Sequence, residues 1–253
     1  AFPGWLEFGG NIGGNPLGMW ISFGIFWAIH MYIIYRGMET LRRFQTWAAP
    51  IVLAFGLGLA IWMIVAADGF GPILADPGKL NTFGEFMPVF IPSLVGVMAL
   101  WATLSLNVSD FTRFAKNQKS QLVGQAIALP TAMTLFAGLG VIMASGSHVV
   151  FGTAIWDPVQ LAGKIEIPIV AMIAMLGAAI ATLTVNMSAN VVSPSYDFAN
   201  VAPHRISRRT GGMLVGFIGV VSQPWLLLSS PSGFIFNWLG TYGGGMGAIA
   251  AVM

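Results

Sequence analysis

Charge is what this sequence has least of. Only 8% of its 253 residues are Asp, Glu, Lys or Arg, against 56% hydrophobic, and the mean hydropathy is +0.79. Soluble domains carry roughly a quarter charged residues, and a shortfall of this size leaves too little polar surface for a water-facing globule. Cysteine is absent altogether, which excludes disulfides and thiolate metal sites. No cleavable signal peptide is expected in the opening residues of this sequence. Also missing are a phosphate-binding loop, HExxH, GxSxG and any cysteine–histidine cluster. The histidines His30, His148 and His204 lie in different parts of the chain, so enzyme chemistry has no visible constellation.

What is present is a series of long apolar runs. Seven are expected to be membrane-spanning segments: Leu17–Tyr35, Trp47–Ala67, Phe86–Leu106, Leu122–Ala144, Ile167–Val192, Gly212–Leu228 and a clipped seventh over 234–253. About 20 apolar residues cross a bilayer as a helix. Only helices and closed barrels satisfy their backbone groups in lipid, and these runs are twice the length of a barrel strand and do not alternate. The chain opens on Ala1 and stops at Met253 inside an apolar run. Both ends are therefore expected to be truncations, leaving residues 1–253 as a single transmembrane domain fragment.

The loops carry an orientation. Nine of the eleven basic residues fall three each on alternate loops: Arg36, Arg42 and Arg43; Arg113, Lys116 and Lys119; Arg205, Arg208 and Arg209. The intervening loops hold Asp68, Asp76, Lys79 and Glu85, then Asp157, Lys164 and Glu166. Basic residues concentrate on cytoplasmic loops, so the first segment is expected to run from outside to inside. A net charge of +2 distributed in this way is a topology signal, and nucleic acid is not expected as a partner. No charge lies in the central part of any segment, so a coupling ion must be held by neutral oxygens or by helices outside this chain. His30, beside Tyr32 and Tyr35, is read as an interfacial or helix-packing residue in preference to a proton relay.

A few residues stand out within the spans. Pro88, Pro92 and Gly96 loosen the ladder of the third segment, and a broken helix near the midplane is the usual pointer to a transporter site. Trp101 follows them. Its indole either stacks on a flat ring or packs on lipid or a neighbouring helix, and composition alone favours packing. In the fifth segment Thr182, Asn186, Asn190 and Ser193 fall at helical spacing. A carboxamide offers donors and an acceptor, which matches the edge of a ureide, imide or pyrimidine. Helix–helix hydrogen bonding is the alternative reading. Ser109 or Asp110 is expected to cap a short helix after the third segment, with Asp110 paired to Arg113. Tyr242-Gly-Gly-Gly-Met-Gly247 is read either as a hinge in the last helix or as a tight turn.

Several stretches resemble one family. Asn107-Val-Ser-Asp-Phe-Thr-Arg-Phe-Ala-Lys-Asn-Gln-Lys, with Trp101-Ala-Thr-Leu-Ser-Leu leading into it, is similar to the signature after the sixth helix of the nucleobase–cation symporters. That family includes bacterial hydantoin, allantoin, uracil and cytosine permeases. Arg36-Gly-Met-Glu-Thr-Leu-Arg-Arg-Phe, Ala48-Ala49-Pro50, Ala181-Thr-Leu, Asn186, Ala189-Asn190-Val-Val-Ser-Pro, Asp197-Phe and Ala202-Pro203 follow its pattern in order. The resemblance implies an all-α membrane protein with a leucine-transporter-type inverted-repeat bundle, incomplete at both ends. Helices four to nine and most of ten would be present. It further implies that Trp101 stacks on the substrate ring, that Asn190 hydrogen-bonds it with Asn186 nearby, and that backbone at Ala99 and Leu100 faces the site. Leu239 would lie in a flexible extracellular gate. The family's sodium site falls on Ala181, Thr184 and Val185, where valine stands in place of a second hydroxyl. Coupling is therefore expected to be to H+, or to weakly bound Na+, with no other cofactor.

The function expected is symport of a small planar nitrogen heterocycle into the cell by alternating access. The location implied is a bacterial inner membrane, with the lipid bilayer as the other partner. The rival is a membrane receptor or structural protein that binds a heterocycle without moving it. An intramembrane enzyme is disfavoured by the missing acid, base and nucleophile. Which ring is carried and what oligomer forms are not legible in these residues.

Overall fold

The computed structural model describes residues 8–75, 80–223 and 225, with the helical backbone alone over 99–106. The chain is an all-α membrane protein. Its main helices are α1 (Leu17–Arg36), α2 (Met38–Ala66), α3 (Phe70–Ala75), α4 (Phe83–Thr112), α5 (Gln118–Phe151), α6 (Pro158–Ala162), α7 (Pro168–Asn186), α8 (Ser193–Val201) and α9 (Arg208–Val221). A π-helical turn, Met187–Val192, joins α7 to α8. Four continuous helices are long and apolar enough to cross a membrane: Leu17–Arg36, Met38–Ala66, Gln118–Phe151 and Pro168–Val201. Before α1 the chain forms a two-residue hairpin, Asn11–Ile12 with Asn15–Pro16, closed by Gly13 and Gly14, both at positive φ.

Two of the expected loops are mostly helix. The segment Arg36–Thr46 contains a single non-helical residue, Gly37, at φ 91°. In that conformation a Cβ would be strained, so glycine lets the chain leave α1 and enter α2 at once. Arg42 and Arg43 then lie on α2, four and five residues after its first residue, Met38. They bond Glu39 at 3.1 and 2.9 Å. Polarity misled the reading, because exposed i, i+3 and i, i+4 ion pairs are compatible with helix. The segment Asn107–Gln121 shrinks in the same way, since α4 continues to Thr112 and α5 starts at Gln118. Ser109 and Asp110 therefore sit in the last turn of a long helix and do not cap a new one. Asp110 is buried and accepts from Arg113 at 3.0 Å.

The described chain divides into two compact units, Ala1–Asp76 with Leu129–Gly216 and Pro77–Ala128 with Phe217–Met253. In the first, Met31, Ile33 and Ile34 of α1 pack with Leu41 of α2, Leu183 of α7, and Met187, Val191 and Val192 of the π turn. Small residues set the closest approaches. A Cβ on Gly177 would lie 2.9 Å from the Phe55 ring, so the α7 backbone at Gly177 lies directly against the Phe55 side chain of α2. A Cβ on Gly211 would lie 2.6 Å from the Ser195 carbonyl oxygen, tying α9 to α8. Large apolar side chains such as Val65, Val141, Ile173 and Leu176 stay more than three-fifths exposed, as a lipid-facing surface requires.

In the second unit, α4 starts at a Thr82 cap whose hydroxyl accepts from Glu85 N at 3.3 Å, while the Glu85 carboxylate accepts from Asn81 N at 3.0 Å. Phe86 and Phe90 stack one turn later, with centroids 5.0 Å apart. Pro88 and Pro92 lie inside α4, yet the helix runs unbroken from Phe83 to Thr112. The expected break is absent, because two missing N–H donors remove single rungs from the ladder without ending it.

Two outcomes follow for the complete protein. Gly211→Ala meets a backbone oxygen that cannot step aside and should lower stability by about 1–3 kcal/mol. Gly140→Ala has open space and should be neutral or stabilising. Thermal unfolding in detergent separates the two. These 253 residues hold no cysteine; in a complete protein freed of any cysteine elsewhere, Lys119→Cys should react with an impermeant thiol reagent only from the cytoplasmic side, and Lys164→Cys only from the other.

Candidate functional site

The polar groups of the spans gather where α7 passes into α8. Most hydroxyls there are spent locally on carbonyls four residues back. Thr182 donates to Ala178 O at 2.9 Å, Thr184 to Ile180 O at 2.7 Å and Ser188 to Thr184 O at 2.9 Å. Ser195 donates to Val191 O. Such back-bonding conceals a hydroxyl in an apolar helix and tends to bend it. Between these residues the backbone widens to i→i+5 bonding over Met187–Val192. Pro194 helps to explain the widening. It has no N–H to return to the Asn190 carbonyl, and its ring crowds that carbonyl in a regular α-helix.

The wide turn breaks the stripe that α-periodicity predicts. Thr182 and Asn190 are exposed and Asn186 is half-buried, whereas Ser193 is 1% exposed and turned into the core. One extra residue in the turn rotates everything after it, so Ser193 leaves the face occupied by Asn186 and Asn190. Its Oγ has no hydrogen-bond partner.

Asn186 and Asn190 remain together. Asn190 Nδ2 donates to Asn186 Oδ1 at 2.7 Å. This bond leaves the Asn186 NH2 as a donor and the Asn190 Oδ1 as an acceptor, side by side on the exposed face. A donor next to an acceptor complements the C=O and N–H edge of a cyclic ureide or imide. From α2, Gln45 Nε2 donates to Ser188 Oγ at 2.5 Å, bridging two helices in the turn between the asparagines.

One turn earlier lie Ala181, Thr184 and Val185. Ala181 and Thr184 are half-buried, and the Thr184 hydroxyl keeps lone pairs free while donating to Ile180 O. Val185, 62% exposed, brings no side-chain oxygen. Among the described residues no group of three or more His, Cys, Asp or Glu could hold a metal ion. A cation here would meet a hydroxyl and carbonyls only.

Ala99, Leu100 and Trp101 are helical in α4, in the second unit, and their side chains lie outside the described residues. Leu239 and Tyr242–Gly247 also lie outside them. His30 is buried. Its Nδ1 is 2.8 Å from Phe26 O and its ring meets Phe26 edge-on with centroids 4.7 Å apart. This is helix packing within α1. The sequence reading missed the π turn and the Gln45 bridge. Pro194, four residues after Asn190, was the available signal for the turn. Gln45 was hidden because its segment read as a loop.

The chain resembles known permeases throughout. The Bacillus subtilis (strain 168) protein named allantoin permease is 42% identical over 255 residues, covering 100% of this chain and 52% of its own length. A purine-uracil permease of Arabidopsis thaliana is 37% identical over 96% of this chain and 40% of its own length. A uracil permease of Saccharomyces cerevisiae is 27% identical over 92% of this chain and 38% of its own length. The chain thus spans about half the length of the curated relatives it matches. No solved structure matches it. The profile of the family described as permease for cytosine/purines, uracil, thiamine, allantoin matches residues 1–253, and the chain belongs to that family of multi-pass membrane transporters, which are not enzymes.

Proposed function

We propose that the complete protein is a symporter that imports a planar nitrogen heterocycle of the hydantoin, allantoin or nucleobase class across a bacterial inner membrane. The carrying observation is the Asn186–Asn190 amide pair, half-buried at Asn186 and exposed at Asn190 on a span-length helix, with one donor and one acceptor uncommitted. Relatives named for allantoin, purines and uracil support the substrate class, because these rings share that hydrogen-bonding edge. Trp101 is assigned the stacking surface, with Ala99 and Leu100 as neighbouring backbone. Leu239 is assigned to an extracellular gate on the resemblance alone.

Transport of this kind breaks no covalent bond. Stacking on an aromatic is worth about 1–3 kcal/mol by analogy with bases on nucleic-acid proteins, and hydrogen bonds to a buried amide add about 1 kcal/mol each. Together they hold a ligand weakly enough to release. Residues 1–253 form a fragment of one transmembrane domain in this proposal, part of a leucine-transporter-type inverted-repeat bundle working by alternating access. Any coupling cation draws on Thr184 Oγ1 and the Ala181 carbonyl. With valine at 185, sodium binds weakly or protons take its place.

In the complete protein, Trp101→Ala and Asn190→Ala should each weaken binding of allantoin or uracil by about ten- to a hundredfold, with thermal stability kept. Wild-type affinity in both variants would remove the site. Accumulation of substrate against its gradient in vesicles distinguishes a transporter from a receptor. Uptake should respond to pH or show only shallow sodium dependence. A steep sodium requirement that is indifferent to pH would overturn the coupling proposal.

A further inference from the structure

We infer that Gln45 is a positioning residue for substrate recognition: through Ser188 it holds the π turn in the register that presents Asn190. This rests on the reading of Asn190 given above and extends it to a side chain one helix away.

A π turn does not sustain itself. Each of its residues has the dihedral freedom to return to the tighter α register, and isolated wide turns survive in helices where their surroundings select them. The backbone supplies one such influence. Downstream, Pro194 denies the Asn190 carbonyl its α-type donor, so the tighter register gains nothing at that rung. Upstream it supplies none: Met187 N bonds the carbonyls of Leu183 and Thr184, four and three residues back, so the ladder enters the turn with no wide bond at this rung.

Side chains decide it. Met187, Val191 and Val192 are buried in the apolar core of the first unit, which fixes the inward side of the turn without orienting its polar side. On that polar side, Ser188 Oγ donates to Thr184 O and accepts from Gln45 Nε2. This bond ties Met187–Val192 to α2, a helix not continuous with the turn. Gln45 is well placed to make it. Leu41 and Ala48, four residues before and three after, are 4% and 1% exposed, so Gln45 shares the packed face of α2. Position 188 also lies midway between 186 and 190. Fixing its hydroxyl fixes the rotation of the turn that separates the two amides.

If the bridge is lost, the turn is free to tighten. Asn190 would then rotate about the helix axis by up to one residue's helical step, and the amide pair would no longer face the direction the wide turn gives it, while the core contacts persist. Substrate affinity should fall with little loss of stability or of maximal rate. Plain helix–helix adhesion would act otherwise, lowering stability and transport activity together.

The test uses the complete protein in vesicles, with radiolabelled allantoin and, separately, uracil. It measures KM, Vmax and, in detergent, the thermal midpoint. Gln45→Leu should raise KM by about tenfold, the loss expected for one oriented hydrogen bond, with Vmax and midpoint kept. Ser188→Ala should reproduce this, and Gln45→Asn should restore little because its amide is one methylene short. The cycle with Asn190 is the critical measurement. Adding Gln45→Leu to Asn190→Ala should change KM by less than about twofold, whereas adding it to Trp101→Ala should cost its full factor. An unchanged KM in Gln45→Leu overturns the inference. So does an effect carried in full into Asn190→Ala, or a parallel fall of Vmax and midpoint. Wild-type KM in Asn190→Ala would instead remove the reading of Asn190 itself, as would a wild-type chain that takes up neither compound.

Discussion

Every peptide group that enters lipid must find its hydrogen-bond partner inside the protein, and the organisation of this chain depends on that constraint. It makes the spans helical and makes hydroxyls fold back on their own carbonyls. It also makes any irregularity in a span conspicuous. A span can afford a widened turn only where side chains or a second helix compensate for it. Here that place is Met187–Val192, where a proline downstream and a glutamine across the helix interface meet. Irregular backbone and uncommitted amides fall within the same six or seven residues. This coincidence suits a membrane protein that must offer polar groups to a solute without exposing them throughout the bilayer.

The first unit is held together by close approach more than by bulk. At Gly177 against the Phe55 side chain, Gly211 against the Ser195 carbonyl and Gly212 against the Ile34 side chain, a helix backbone lies so near its neighbour that a methyl group would collide. In lipid there is little hydrophobic gain from burying one apolar side chain against another, so many weak contacts at short range take over that role. The same logic explains why so many large side chains remain on the outside. They meet a medium as apolar as themselves.

Much of this architecture was legible in the residues. Long uncharged runs and alternating basic clusters establish an all-α membrane protein, because few other folds tolerate so little charge. The ends of the helices were less legible. Arg42 and Arg43 read as loop residues, but with Glu39 they make i, i+3 and i, i+4 pairs on a helix separated from the previous one by a single residue. Polarity reports the water boundary, not the end of a helix. The asparagine stripe was half legible. Asn186 and Asn190 do face together, but a 3.6-residue period cannot foresee a turn wider than itself, so Ser193 was misplaced. Gln45 was invisible for a different reason: its partner lies 143 residues away. As for Trp101, its place in the sequence motif is clear, while its side chain lies outside the described residues.

The single residue between the first two long helices has a mechanical consequence. Consecutive Cα atoms are about 3.8 Å apart, so a connection through Gly37 alone contains no slack. Neither rod can slide along its axis without dragging the other. The joint can bend at one pair of dihedrals and cannot stretch. Whatever displacement the molecule undergoes, these two rods must share it as a hinged couple, pivoting at the membrane surface like the legs of a drawing compass.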